Sequence, residues 1–574
     1  MSRLAKAIRN KRFDVKDGVT LSLLFETKTA RMQGLVQNAS VGGLAVLMDI
    51  SEQPDAKSIH EGELITSSKL LWKDSEAVMG RLLVSRVDHK ESTVLVGLHC
   101  LDGKVPLMES LSHCFSELAT GEESPFGFEL GTPKFNLASF SEEEFKHPDL
   151  FEKCRQFDFL HNELRKKPLY QYYSIKYDVN GARATYKLTN RPKKRNYVCF
   201  TSYDYMGFSR HPKVIDGISR ALTKYGVSAE GSMILSGKTD LHEELEKRIA
   251  KYFGKEDALI YTSGFSANVG IISSLVRQND LVVADIYAHA SLHDGMSASS
   301  AKIRYFRHND VTHLEKILKA ERSQYNGCLV VMESLYSMEG SVPDIEAFTK
   351  VAKKYNARIF IDECHSLGFF GEDGRGASDE AGVLEDIDLF MGSFSKGLGV
   401  GCCGFLAADK TVIDWLRFFS RTGTFSGALS PGLVAGCIAV LDLLESGEGR
   451  PNQLIKNVDR FHHGLKRIGI KTPADKRSPI IPIVIGDQER MSKINEILLD
   501  MGIYVNCIMF PAVPVDACRF RFSITANHND SDIDIALHAL EIAFEKIGIN
   551  EVAEIIVANA VDDRKKNALK VISE

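Results

Sequence analysis

Lys396 stands in Ser393-Phe-Ser-Lys-Gly397, directly after the short apolar run Leu389–Met391. A lysine amine at the end of a buried strand can form a Schiff base with a carbonyl and then move protons. Similar runs precede other reactive side chains. Arg358–Ile361 leads into Asp362-Glu-Cys-His365, and Leu281–Ala284 leads to Asp285 and His289. Ala258–Tyr261 precedes Ser263-Gly-Phe265 and a helical pattern, and Cys328–Met332 precedes Glu333 and Ser337. In open α/β sheets, ligands bind beyond the carboxyl ends of strands, where loops and helix starts converge. One sheet edge is thus expected to collect a lysine, an aspartate, two histidines and several hydroxyls. A single such residue is usually a helix cap or a solvated loop; the set together reads as a site.

The elements that must position this set follow from periodicity. Beyond Asn196, short runs apolar on both faces alternate with helical segments, as a mostly parallel buried sheet requires, so the fold class is α/β. After Pro431 a long apolar helix pattern, Leu433–Leu444, leads to strands at Ile480–Ile485 and Cys518–Ile524 and to closing helices, a smaller α+β domain. Ahead of the α/β region, Val19–Phe25, Met32–Gln37, Gly43–Met48, Glu63–Leu71, Ala77–Val84 and Thr93–Leu98 read as strands of a small all-β module. The stretch from Gly121 to Pro133 has linker composition, Phe140–Lys167 reads as a helix, and Tyr172–Leu188 as extended chain. Four parts are predicted: 1–120, 121–195, 196–430 and 431–574, with a terminal helix past Val552.

At 574 residues the chain exceeds one ordinary core. A net charge of −5 argues against a nucleic-acid polymer as partner. Eleven cysteines without paired metal-ligand spacing read as buried reduced thiols, and no metal site is expected. The start has no continuous apolar stretch and no window approaches a membrane span, which predicts a cytoplasmic protein with at most peripheral membrane contact.

Each residue type at the strand ends has a task in pyridoxal chemistry. Lysine forms the Schiff base, and aspartate keeps the pyridinium nitrogen protonated so that the ring accepts electrons. A helix start with hydroxyls holds the phosphate. The stretches Phe200-Thr-Ser-Tyr-Asp-Tyr-Met-Gly207, Thr262-Ser-Gly-Phe-Ser-Ala-Asn268, His289-Ala-Ser291, Asp362-Glu-Cys-His-Ser366 and Ser393-Phe-Ser-Lys-Gly397 resemble, in order and spacing, the α-oxoamine synthases of fold type I. The resemblance covers about residues 170–548. It implies pyridoxal 5′-phosphate on Lys396, with Asp362 at the pyridinium nitrogen, His365 at the ring hydroxyl and His289 on the stacking face. It further implies Ser263, Gly264, Phe265 and Ser393 on the phosphate side, Ser426 reaching in from a second subunit of a homodimer, and Arg521 on the substrate carboxylate.

Within the family, Tyr203, Arg307-His-Asn-Asp310, Tyr336-Ser-Met338 and Arg421 are similar to the serine palmitoyltransferase branch. That branch implies decarboxylating condensation of an amino acid, serine favoured, with a long-chain acyl thioester. Met509 and Met233 stand where relatives carry arginine, which leaves the amino acid open, glycine and alanine included. The acyl carrier, coenzyme A or a carrier protein, is also open. An ordinary fold type I aminotransferase fits the lysine and aspartate but less well the set of Tyr203, His289 and His365.

The amino-terminal module carries Asn38-Ala-Ser-Val-Gly-Gly43, which resembles a motif of the PilZ β-barrel, a receptor for cyclic di-GMP. The resemblance implies a nucleotide site at Arg9, Arg12, Lys16, Asn38, Ser40 and Gly43, although lysine is a poor substitute for the planar fork of arginine. A degenerate module used for dimerisation or partner contact is the alternative. A catalytically silent cyclic di-GMP receptor is a further reading, and the retention of Lys396, Asp362, His289 and His365 opposes it.

Overall fold

The computed structural model describes residues 149–449, 451–509 and 512–548, together with strand segments between residues 13 and 100. The chain divides into two compact units, residues 1–166 and 167–574.

In the first unit the described strands are β1 (Phe13–Asp14), β2 (Leu21–Glu26), β3 (Arg31–Ser40), β4 (Gly43–Asp49), β5 (Leu64–Ile65), β6 (Ser67–Trp72), β7 (Ser75–Val78), β8 (Leu82–His89) and β9 (Thr93–Cys100). They form one antiparallel sheet in the order β5-β8-β9-β4-β3-β2-β6-β7, with β1 pairing β3. Asn38 and Ser40 stand on β3 and Gly43 on β4, where Ser40 pairs with Gly43. Arg9, Arg12 and Lys16 lie outside the described residues, as does the terminal helix expected past Val552. A helix spans Glu152–Arg165, the latter part of the helical stretch expected there.

The second unit opens with the hairpin β10 (Ile175–Asn180) and β11 (Arg183–Lys187), then β12 (Arg195–Phe200). Next come β13 (Asp257–Tyr261), β14 (Leu281–Asp285), β15 (Lys302–Phe306), β16 (Cys328–Glu333), β17 (Arg358–Asp362), β18 (Leu389–Ser393) and β19 (Gly404–Ala408). These seven form a sheet in the order β13-β19-β18-β17-β16-β14-β15, in which β19 alone runs antiparallel to its neighbours. The alternation of side chains along a strand divides the apolar residues between two cores. On β14, Leu281 and Val283 enter one and Val282 and Ala284 the other; on β16, Val330 and Met332 enter one and Leu329 and Val331 the other.

A six-stranded sheet, β10-β11-β12-β21-β22-β20, uses β20 (Ile480–Val484), β21 (Ile503–Ile508) and β22 (Arg519–Ser523). Because β12 pairs in parallel with β21, this sheet is built from chain on both sides of the seven-stranded one. No described helix is long and apolar enough to cross a membrane.

Candidate active site

The parallel strands end together, and the loops beyond them meet. Asp362 closes β17 and is 7% exposed. Its Oδ1 accepts the Cys364 N–H at 2.9 Å, and its Oδ2 accepts the Asn268 amide at 2.8 Å. The loop that follows is pinned by Glu363. That buried carboxylate accepts the N–H groups of Ala377 at 2.9 Å and Ser378 at 2.8 Å, together with the hydroxyls of Ser366 and Ser378. A charge so enclosed is tolerated because its acceptor positions are filled.

His365, three residues past Asp362, is buried, with Nδ1 3.0 Å from the Tyr205 hydroxyl. Burial, with the charges of Lys396 and Arg521 beside it, holds its imidazole well below the usual histidine range. The ring is therefore neutral, and Tyr205 occupies one nitrogen while the other is left for a second partner.

Lys396 lies on the loop after β18. Cys403, held at φ 130, anchors that loop: its carbonyl accepts the Phe394 N–H and the Ser393 hydroxyl, each at 2.9 Å. The Lys396 ammonium sits 4.4 Å above the centroid of the Tyr203 ring. Burial pushes its pKa down, and the nearby Arg521 guanidinium adds to the effect. An amine so desolvated loses its proton more readily than a surface lysine, as a nucleophile requires.

His289 caps the helix Ala290–Ser297. Its Nδ1 accepts the Ser291 N–H at 3.2 Å and stands 2.7 Å from the Ser291 hydroxyl. Although His289 is exposed at the surface, loss of hydration around its ring holds this imidazole, too, below its ordinary range.

The helix Gly264–Leu275 starts on the same edge. Ser263 caps it reciprocally with Ser266: the Ser266 N–H donates to Ser263 Oγ at 3.1 Å, and the Ser263 N–H donates to Ser266 Oγ at 3.0 Å. The first N–H groups of such a helix have no intrahelical acceptor and carry the positive end of its dipole. Gly404 allows the turn its position, since a Cβ there would lie 2.5 Å from the Ser263 carbonyl oxygen. Ser393 spends its hydroxyl inside the lysine loop, on Cys403 and Ser395.

Arg521, on β22, is 8% exposed. Its Nη1 donates to the Ser337 carbonyl at 3.4 Å, while Nε has no acceptor. It is close enough to depress the pKa values of Lys396 and His365. Tyr203 is 46% exposed, and Phe265 is half exposed.

Arg421, Ser426, Met233 and Met509 have other neighbours. Arg421 is exposed and stacks over Phe425, 5.5 Å from its centroid. The loop holding Ser426 packs against Gly231–Gly237, with the Ala428 N–H on the Gly231 carbonyl at 2.8 Å and a bridge from Ser232 to Gly427. Met233 and Met509 pack against the larger apolar core.

Sequence reasoning gave no role to Asn268, Ser291, Tyr205 or Cys364. The signal was present for Asn268 and Ser291, which stand inside the stretches Thr262–Asn268 and His289–Ser291. Glu333, noted only as following β16, lies beside Asp362 in strand register. Burial, with Asp362 adjacent, pushes its carboxyl well above the ordinary range and favours its neutral form.

The Aminotransferase class I and II family matches residues 195–540. Among curated proteins the chain is 34% identical over 357 residues to 8-amino-7-oxononanoate synthase of Geotalea daltonii, covering 62% of this chain and 90% of that one. It is 33% identical over 400 residues to serine palmitoyltransferase of Sphingobacterium spiritivorum, covering 70% and 98%. It is also 33% identical over 404 residues to 4-hydroxy-2,2'-bipyrrole-5-methanol synthase PigH of Serratia sp., covering 70% of this chain and 61% of that longer protein. Among solved structures, serine palmitoyltransferase from S. paucimobilis with a bound PLP–myriocin aldimine superposes with a TM-score of 0.66 at 31% identity, covering 70% of this chain and all of that one.

Proposed function

The chain belongs to the aminotransferase class I and II family, among its pyridoxal-phosphate-dependent α-oxoamine synthases, and from that premise we propose that it condenses an amino acid, serine favoured, with a long-chain acyl thioester. The residues present fit the cofactor. Lys396 offers a desolvated amine, Asp362 a buried carboxylate already fixed by two donors, and the Gly264 helix start a set of unfilled N–H groups. Pyridoxal phosphate, when bound, supplies an electron sink for the α-carbon of the amino acid.

The observation that carries the amino-acid reading is Arg521. A buried guanidinium with an unfilled Nε–H, set beside Lys396 and His365, is a receptor for a carboxylate, which guanidinium binds in a bidentate fork. In this reading Arg521 holds the carboxylate and Lys396 takes the α-proton. The α-carbon bonds to the thioester carbonyl carbon, and the sulfur leaves as thiolate, which takes a proton from solvent. The C–C bond to the carboxylate then breaks, carbon dioxide departs, and Lys396 returns its proton to the α-carbon. His289 and His365, both neutral, orient the reacting group and donate or accept hydrogen bonds without adding charge.

Serine is favoured because of Tyr203 and Arg421, with glycine and alanine the competitors and Met233 and Met509 the residues that keep them in play. Ser426 reaches a cofactor from a second copy of the chain, so the active form is a homodimer. The first unit is assigned as a PilZ-like module: β1, which follows the basic stretch Arg9–Arg12 in sequence, pairs with Asn38 and Ala39 of the motif. Cyclic di-GMP bound there would control turnover.

The experiment supplies the purified holoenzyme with a panel of amino acids and acyl thioesters and follows thiol, carbon dioxide and product mass. Serine with a long-chain thioester should release thiol and carbon dioxide one to one. Keto-acid-dependent amino transfer without carbon dioxide would replace the condensation with an aminotransferase reaction. Glycine or alanine as the preferred substrate would move the chain to another branch of the family.

A further inference from the structure

Asn268 lies on the helix that starts at Gly264, one turn past its first residue, and is 2% exposed. Its amide nitrogen is 2.8 Å from Asp362 Oδ2 and 2.9 Å from Ser291 Oγ, and Ser291 Oγ is 2.7 Å from His289 Nδ1. The direction of these bonds is fixed by chemistry. An ionised carboxylate only accepts, so the amide must turn its nitrogen, not its oxygen, to Asp362. Ser291 then accepts the second amide hydrogen and is left to donate its own to His289 Nδ1. The Ser291 N–H also points at Nδ1, so the ring hydrogen of His289 sits on Nε2. Asn268, Asp362 and Ser291 are buried, where hydrogen bonds polarise one another and act more strongly than in water, and His289 ends the chain at an exposed position.

We propose that Asn268 is a positioning residue that couples Asp362 to His289, fixing the carboxylate at the pyridine nitrogen and the tautomer of the stacking imidazole through one amide group. The proposal rests on the reading of Lys396, Asp362 and His289 as cofactor-holding residues. Asn268 is not placed for its own satisfaction, because its buried Oδ1 has no partner. An apolar side chain of similar size would avoid that cost but could hold neither Asp362 nor Ser291. Other anchors remain when Asn268 is removed: the Cys364 N–H on Asp362 and the Ser291 N–H on His289. The loss should therefore be graded rather than complete, which separates Asn268 from Asp362 itself.

The test titrates the apo-forms of the wild type and variants with pyridoxal phosphate and records affinity, visible circular dichroism of the bound cofactor, and steady-state kinetics. Asn268→Ala should weaken cofactor affinity about tenfold or more, as expected for losing a hydrogen bond to a charged group. It should shrink the visible dichroism and lower kcat while leaving the amino-acid KM within about twofold, since Arg521 is untouched. Asn268→Asp should bind more weakly still, because it sets a second carboxylate against Asp362. Ser291→Ala keeps the Asp362 contact, so it should retain affinity within about threefold but alter the dichroism. Wild-type affinity and dichroism in both Asn268→Ala and Ser291→Ala would overturn the coupling. If Asn268→Ala does not fold, Asn268→Asp and Ser291→Ala decide the question by the same two readouts. Should Asp362→Asn also leave affinity and dichroism unchanged, the assignment of the whole site fails instead.

Discussion

The floor and the rim of the candidate site are built differently. On the floor, Asp362, Asn268, Ser291, His365 and Tyr205 are buried, with the exposed His289 at their edge, and hydrogen bonds of 2.7–3.0 Å link them. At the rim, Tyr203 and Phe265 are exposed, and their contacts are ring and cation–ring approaches to His289 and Lys396. The floor is complete within one chain. The rim presents exposed aromatic rings, where the proposed function would receive its acyl chain. Pre-organisation belongs to the chemistry and adaptability to the substrate.

The largest test of that contrast is Lys396→Ala. It removes the amine on which the floor converges, and turnover should fall by more than about 10⁴-fold. Retained condensation would end the assignment. A companion experiment tests the proposed second copy: if Ser426 reaches the cofactor phosphate from there, Ser426→Asp sets a negative charge against it. Each variant alone should be inactive. Mixed dimers of Lys396→Ala and Ser426→Asp chains contain one intact site, so co-expression should restore about a quarter of wild-type activity under random pairing. No restoration would confine Ser426 to its own chain.

Arg521→Gln comes next. Losing one partner of a buried charged pair costs about 2–5 kcal/mol, so the amino-acid KM should rise by about 30-fold or more, with the acyl-thioester KM unchanged. An unchanged amino-acid KM would transfer the carboxylate to another residue. Tyr203 should matter less. A cation over an aromatic face is worth about 0.5–2 kcal/mol, so Tyr203→Ala should cost roughly 3- to 30-fold and Tyr203→Phe little. Equal losses in the two would mean that the hydroxyl, not the ring beneath Lys396, is what matters.

The same contrast explains what could be read from the sequence. Lys396, Asp362, His289 and His365 were legible because each follows an apolar run, and the ends of parallel strands share one edge. Asn268 and Ser291 were in quoted motifs yet carried no role, since a mid-helix asparagine is defined by what is buried beside it, and that is a fact of packing. Strand β15 was missed because its residues Lys302 and Arg304 are those of an edge strand open to solvent on one side, breaking the apolar run. Strands β12 and β21 were missed for another reason: each is half of a pairing made across some 300 residues of chain, and no local pattern announces it. Arg421 and Ser426, found by resemblance, lie where one chain alone gives them no catalytic partner.

The smallest effect expected is the absence of one. His289 and His365 both titrate below the ordinary histidine value, His365 well below it, because burial opposes the charged form. A lowered pKa means that the proton is taken up only as the pH falls further, so His365 stays neutral through the usual histidine range near about 6.5 and His289 protonates below its ordinary value. Activity that depends on neutral imidazoles should then be level as the pH drops from 8 through about 6.5, with any loss from protonation arriving below that. The measurement is kcat/KM against pH at saturating cofactor. A histidine-like inflection near 6.5 would mean that one floor imidazole is more solvated than its neighbours allow, and it would blur the line between floor and rim. If the inflection vanished in His365→Gln, the exposed ring would be His365 and the Tyr205 bond would be the one to revise. If it survived, the titrating group would be His289, or would belong to the rim or to the substrate.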